Sequence, residues 1–156
     1  MKIKIYLIAR IAKYAQPWNN KVASSFDKNI FEVFKPHEHN PWDKKHESFS
    51  QKVVDVDVEA IKNSDIGLVL PNFGKDCSWE CGYYANSNKP AVIFVDDQLL
   101  WLKDWMIKGS IDFVITNNKK THKILKQDHI LKHKKIILIK GLYDLNKILI
   151  NIYKNH

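Results

Sequence analysis

One stretch of this chain concentrates groups able to do covalent chemistry: Asp76-Cys77-Ser78-Trp79-Glu80-Cys81-Gly82-Tyr83-Tyr84. It follows one apolar run, Ile66-Gly67-Leu68-Val69-Leu70, and precedes another, Pro90-Ala91-Val92-Ile93-Phe94-Val95. Both runs read as strands buried on both faces. A helix opening between them puts its N-terminus at the carboxyl end of the first, where open α/β sheets bind ligands. A glutamate in the first or second turn of that helix sits over the crevice, near positive backbone dipoles. Glu80 is then either a functional carboxylate or a residue that merely favours that end of the helix, an effect of about 0.3–1 kcal/mol.

Other carboxylates and rings belong near the same crevice. In the helix read over His46–Asn63, Phe49, Val53, Val56 and Ala60 define a core-facing stripe. Asp57 lies about 60° from the centre of that stripe, so it either reaches the crevice or forms a rim salt bridge. Asp55 points toward water, and Asp65 is turn chemistry before the next strand. In the segment Pro36-His37-Glu38-His39-Asn40-Pro41-Trp42, two histidines flank a carboxylate and invite a metal, yet no third ligand accompanies them. Trp42, Phe73 and Trp79 offer either flat surfaces for a planar ligand or ordinary rim packing.

These residues need elements to hold them, and the strand and helix patterns alternate along the chain. Strands are expected at Lys2–Ala9, Ile30–Phe34, Ile66–Leu70, Ala91–Val95 and Ile111–Thr116, with Lys135–Ile139 a sixth strand or an edge piece. Helices are expected at Pro17–Phe26, His46–Asn63, Ser78–Asn88, Gln98–Ile107, Lys119–Gln127 and Leu142–Tyr153, and residues Lys35–Lys45 read as irregular. Such alternation implies an α/β fold: a doubly wound, flavodoxin-like or Rossmann-like, five-stranded parallel sheet with helices on both faces. The whole chain, 1–156, reads as a single domain.

Composition narrows the classes. Of 156 residues, 45% are hydrophobic and 27% charged, the balance of a soluble globular protein. No apolar run has the roughly 20 residues of a membrane span, and the N-terminus lacks a signal-peptide cleavage site. Cys77 and Cys81 are the only cysteines and read as reduced thiols of a cytoplasmic protein, with no finger spacing for a metal. No Gly-rich dinucleotide fingerprint or P-loop occurs, so no cofactor and no metal is expected. The net charge of +8 is concentrated between Lys119 and Lys135. That stretch is either a nucleic-acid-binding surface or a solvated helix face; the absence of interleaved aromatics favours the latter.

The residues also carry a resemblance. Lys4-Ile5-Tyr6-Leu7-Ile8-Ala9, then Asp57 to Asp65 before an apolar strand, then Asp76 to Ala85 with Asn88-Lys89-Pro90, resemble the nucleoside 2-deoxyribosyltransferase-like superfamily in order and spacing. The resemblance implies that Glu80 attacks the anomeric carbon of a nucleoside sugar and forms a glycosyl-enzyme, which a second base or water resolves. It implies that Tyr6 orients that nucleophile and that Asp57 contacts the base and helps protonate it. It also places Ser78 with the substrate-binding positions of the motif. Sites of this family are completed by a neighbouring subunit, so a homo-oligomer is expected. Asn117 or Asn118 would be the contributors, and the Trp101-Leu102-Trp105-Met106 cluster a source of contact surface.

Two departures from the family pattern bear on substrate. The acidic residue of the motif is Asp76, four before Glu80, with Gly74 at the usual position six before. Asp76 thus either binds a sugar hydroxyl or is the helix N-cap. The first strand ends Ala9-Arg10-Ile11, and Arg10 there would either bind a phosphate bidentately, favouring nucleotides, or form a surface salt bridge. The expected function is a retaining N-glycosyl enzyme on nucleosides or nucleotides, a deoxyribosyltransferase or an N-glycosidase. The alternatives are a non-catalytic nucleotide-binding module and a basic nucleic-acid-binding protein.

Overall fold

The computed structural model describes residues 1–39, 50–71 and 73–156. In chain order its elements are β1 (Ile3–Ile8), α1 (Gln16–Ala23), β2 (Phe31–Phe34), the one-turn α2 (Pro36–His39), α3 (Ser50–Asn63), β3 (Ile66–Val69) and α4 (Asp76–Ala85). There follow β4 (Ala91–Val95), a 3-10 turn (Leu100–Lys103), α5 (Trp105–Ser110), β5 (Phe113–Thr116), α6 (Lys119–Gln127), a second 3-10 turn (Leu131–His133), β6 (Lys135–Leu138) and α7 (Asp144–Asn155).

The strands form one all-parallel sheet in the order β2-β1-β3-β4-β5-β6. The expected α/β architecture holds, with six strands among the described residues in place of five. β6 pairs with β5 from Phe113↔Lys135 to Thr116↔Leu138, and its half-exposed residues are those of an edge strand. The order reverses between β1 and β3, and the crevice at such a switch point is where this architecture binds ligands.

Period-two alternation sends successive side chains to opposite faces. Ile5, Leu7, Leu68, Leu70, Val92 and Phe94 pack under α1 and α7. Tyr6, Ile8, Val69, Ile93 and Val95 face the other layer, which α3, α4, α5 and α6 cover. Two aspartates tie the strand entries together. Asp65 accepts from the backbone N–H of Lys4 at 2.7 Å while its own N–H donates to the Lys4 carbonyl at 2.8 Å. Asp112 does the same with Ala91, at 2.9 Å in both directions.

Several element expectations change. Residues Pro36–His39 form a helical turn within the segment read as irregular, led by a proline whose fixed φ suits a first helical position. The Trp-rich helix is two pieces, because Asp104 leaves helical geometry (φ −87°, ψ 81°). That break turns Trp101 inward, at 3% exposed, and leaves Trp105 and Met106 outside at 73% and 86%. Of the α3 stripe, Val56 is exposed and Ile61 is the buried position, so the inward face is rotated toward Asp57. The expected start of that helix, His46–Phe49, lies outside the described residues. No helix among the described residues is long and apolar enough to cross a membrane.

Candidate active site

Glu80 lies on the buried face of α4. Cys77, Glu80, Cys81 and Tyr84 recur at the spacings of one helix face, and all four are buried. A carboxylate at such a position costs free energy unless it is hydrogen-bonded. Tyr6, fully buried on β1, donates its hydroxyl to Glu80 Oε1 at 2.6 Å, and the Cys77 thiol lies one turn earlier on the same buried face, where it favours the ionised carboxylate. Burial pushes Glu80 up to about 7; the Tyr6 hydrogen bond opposes it, and the charges of Asp57 and Asp76 reinforce it.

α4 is held close to the sheet by a glycine. A Cβ at Gly67 on β3 would stand 2.8–2.9 Å from the Tyr84 ring, so only glycine admits that ring one turn beyond Glu80. The Tyr84 hydroxyl is hydrogen-bonded to Ser64 Oγ, at the end of α3. On the other flank Tyr6 stacks on Phe34 (5.4 Å, 11°), which stacks on His39 (4.5 Å, 9°). The Tyr6 ring is therefore clamped, and its hydroxyl is aimed at Glu80.

A cavity of about 300 Å³ opens above these groups between α3 and α4, lined by Val53, Val54, Asp57, Val58, Ile61, Asp76, Trp79 and Glu80. Three carboxylates thus share one cavity. Asp57 is pushed up to about 6, first by burial and then by the charge of Asp76. Its Oδ1 is buried and has no hydrogen-bond partner among the described residues. A larger cavity of about 630 Å³ lies against the other face of α3, lined by Lys4, Glu32, Asp55 and Glu59 among others, and includes neither Glu80 nor Asp57.

The structure brings Glu80, Tyr6, Asp57 and Asp76 together. Asp76 is the first helical residue and Lys75 occupies the cap position, so the N-cap alternative for Asp76 does not hold. Arg10 lies elsewhere. Its guanidinium donates to Tyr14 Oη at 2.7 Å and to the Phe73 carbonyl at 2.5 Å, and it lines two clefts with Pro71 and Gln98 that do not include Glu80. The Phe73 ring meets Trp101 edge-on (6.5 Å, 77°) within one of those clefts. Ser78 is exposed on α4 and does not line the carboxylate cavity. Trp42 lies outside the described residues. Asn118 caps α6, accepting from the N–H groups of Lys120 and Thr121, which gives it a local role.

Cys77 was missed as a Glu80 partner, although its i, i+3 spacing carried the signal. The valine wall of α3 was missed because it needs the true rotation of that helix. His37 Nε2 lies 3.1 Å from Asn20 Oδ1 and the His39 ring stacks on Phe34. No group of three or more metal-ligating side chains gathers among the described residues.

A parallel sheet flanked by helices, with a cavity between α3 and α4 lined by two carboxylates and a buried glutamate to which a phenol is hydrogen-bonded, defines a doubly wound protein with an acidic pocket suited to a small ligand. The family model for nucleoside 2-deoxyribosyltransferase like proteins matches residues 2–99, and the chain belongs to that family. The match spans Tyr6, Asp57, Asp76 and Glu80. Among solved structures, the chain resembles a 2-deoxyribosyltransferase from the psychrotolerant bacterium Bacillus psychrosaccharolyticus, with a TM-score of 0.59 and 22% identity over 71% of this chain and 84% of that one. It also resembles a conserved protein from Enterococcus faecalis V583, with a TM-score of 0.61 and 16% identity over 97% and 99%. Both likenesses are of fold. No curated protein matches the chain.

Proposed function

We propose that this protein is a retaining N-glycosyl enzyme acting on nucleosides or nucleotides. Glu80 is the nucleophile: its carboxylate oxygen bonds to the anomeric carbon while the carbon–nitrogen bond to the base breaks and its electron pair leaves with the base. Asp57, in its protonated form, supplies the proton that neutralises the departing base. A second base or a water molecule, giving its proton to the Asp57 carboxylate, then attacks the anomeric carbon from the opposite face, releasing Glu80 and restoring the original configuration. Tyr6 and Cys77 hold the nucleophile and favour its ionised form, and Asp76 hydrogen-bonds the sugar. The exposed apolar side chains Leu100, Trp105 and Met106 are the surface through which copies of the chain would associate.

The observation that supports this reading above the others is the 2.6 Å hydrogen bond from Tyr6 to a buried Glu80 within a cavity shared by Asp57 and Asp76. A buried carboxylate poised near neutrality, beside a second one able to carry a proton, suits a glycosidic bond whose transition state has oxocarbenium character. The test is chromatography of free base after incubation with deoxy- and ribonucleosides and their 5′-monophosphates, with and without a second base, beside Glu80→Ala. Release that vanishes in Glu80→Ala is expected, and dependence on the second base separates transfer from hydrolysis. No release by the folded protein from any substrate sinks the reading and favours a nucleotide-binding module.

A further inference from the structure

The cavity above Glu80 has unlike walls. Asp57, Asp76 and Glu80 make one side acidic; Val53, Val54 and Val58 of α3 and Trp79 of α4 supply apolar surface. Trp79 remains 56% exposed, although the Tyr83 ring braces it at 5.9 Å and 43°. A single exposed apolar side chain is ordinary on a protein surface. This one lines a concave site and immediately precedes Glu80 in the chain. The cavity also holds Asp57 Oδ1, a buried acceptor without a partner among the described residues. A ligand with flat apolar faces and hydrogen-bonding groups on its edge meets both demands. A phenyl ring lacks the edge groups, and a sugar lacks the flat faces.

On the reading of the previous subsection, we propose that Trp79 is the stacking platform for the substrate's nucleobase, held between the indole and the valine wall of α3, and that it favours purines over pyrimidines. Stacking on an aromatic ring tolerates any base but grows with overlapped area, and the fused rings of a purine cover more of an indole. Trp79 makes no contact with the bond that breaks, so its loss acts mainly on KM.

The test uses Glu80→Gln, which keeps the cavity and lacks the nucleophile. It is titrated with deoxyadenosine and thymidine by calorimetry and indole fluorescence, beside Glu80→Gln/Trp79→Ala and Glu80→Gln/Trp79→Phe. The expected result is quenching on binding and a loss of deoxyadenosine affinity of roughly 5- to 150-fold in the alanine variant, the range of one base–aromatic stack. Phenylalanine recovers most of that loss, and thymidine suffers less than deoxyadenosine. An unchanged affinity in the alanine variant, or no binding of either nucleoside, overturns the platform; equal losses for both overturn the purine preference. The two readings fail separately. Base release by the unmodified enzyme with a KM indifferent to Trp79 keeps the glycosidic chemistry and removes the platform. Trp79-dependent binding without release from any substrate does the reverse.

Discussion

Glu80 must be ionised to attack while Asp57 must keep its proton, and burial holds the two near 7 and near 6, so base release is expected to peak between those values and to fall on either side. Tyr6→Phe removes a hydrogen bond that favours the carboxylate. The limb that Glu80 sets should therefore move to higher pH, with kcat reduced about 10- to 150-fold, the effect of losing roughly 1.5–3 kcal/mol from a hydrogen bond to a charged group. Asp57→Asn removes a neighbouring negative charge, so its limb should move to lower pH even as the loss of the acid slows turnover. pH–rate profiles of the two variants check the opposite signs. The same shift is a stability statement. A carboxyl raised from 4.5 to about 7 contributes stability below pH 4.5 that is lost as the pH rises through 7. Glu80→Gln should thus unfold at nearly the same temperature as the parent at pH 4.5, and at a higher one at pH 8. The gain there is on the order of 2–3 kcal/mol, which thermal melts at the two pH values would reveal.

At the scale of elements, two contacts position the layer that carries the site. Gly67→Ala would drive a methyl group into the Tyr84 ring and push α4 off β3. A cost of about 1–3 kcal/mol in denaturant unfolding is expected, together with reduced base release, because Glu80 rides on the same helix. The second contact lies on α5, which packs against α4. Lys108, 5% exposed on α5, donates to Asp128 Oδ2 at 2.7 Å, and the N–H groups of Ile130 and Leu131 bond the other oxygen. Burial alone would raise Asp128, but the Lys108 hydrogen bond and these backbone donors hold it below its ordinary value. Lys108→Ala removes one of three donors to a partly exposed carboxylate that keeps its two backbone donors, and should cost about 1.5–3 kcal/mol, measured by unfolding. Asp128 also gives this pair a pH sign opposite to that of Glu80: its stabilisation is present above the ordinary carboxylate range and fades as the pH falls.

At the scale of the molecule, the strand order separates the site from the basic surface. The cavity lies beside β1 and β3, whereas α6 and the 3-10 turn after it flank β5 and β6. Strands lie about 4.8 Å apart, so the two regions are on the order of 15 Å apart across the sheet. Lys119, Lys120, Lys123 and Lys126 are exposed, while Thr121 and Leu125 of the same helix are buried. That is the pattern of an amphipathic covering helix with a solvated outer face. Replacing Lys119, Lys120 and Lys123 by glutamine should leave base release unchanged. A fall in activity at moderate salt would instead mean that this face gathers substrate.

Much of this arrangement follows from local physics that a one-dimensional pattern carries. Buried parallel strands read as apolar runs, capping and turn residues mark their ends, and together they place the helix that carries Glu80 at the carboxyl end of β3, whereas its buried stripe Cys77, Glu80, Cys81 and Tyr84 was set by packing. Asp57 and Asp76 were legible as carboxylates near the switch point for the same reason. The sixth strand was ambiguous because an edge strand shares only half its surface with the core. The break at Asp104 and the rotation of α3 were not legible, since each depends on how a helix settles against neighbours far away in the chain. Arg10 illustrates the limit: a charged side chain at a strand end reaches whichever acceptors surround it, here Tyr14 and the Phe73 carbonyl. The chain by itself determined which groups stand at the carboxyl ends of the strands. Only the packing of α3 against α4 decided which share a cavity, because long-range side-chain contacts set the direction, burial and ionisation of each group, and no local period encodes them.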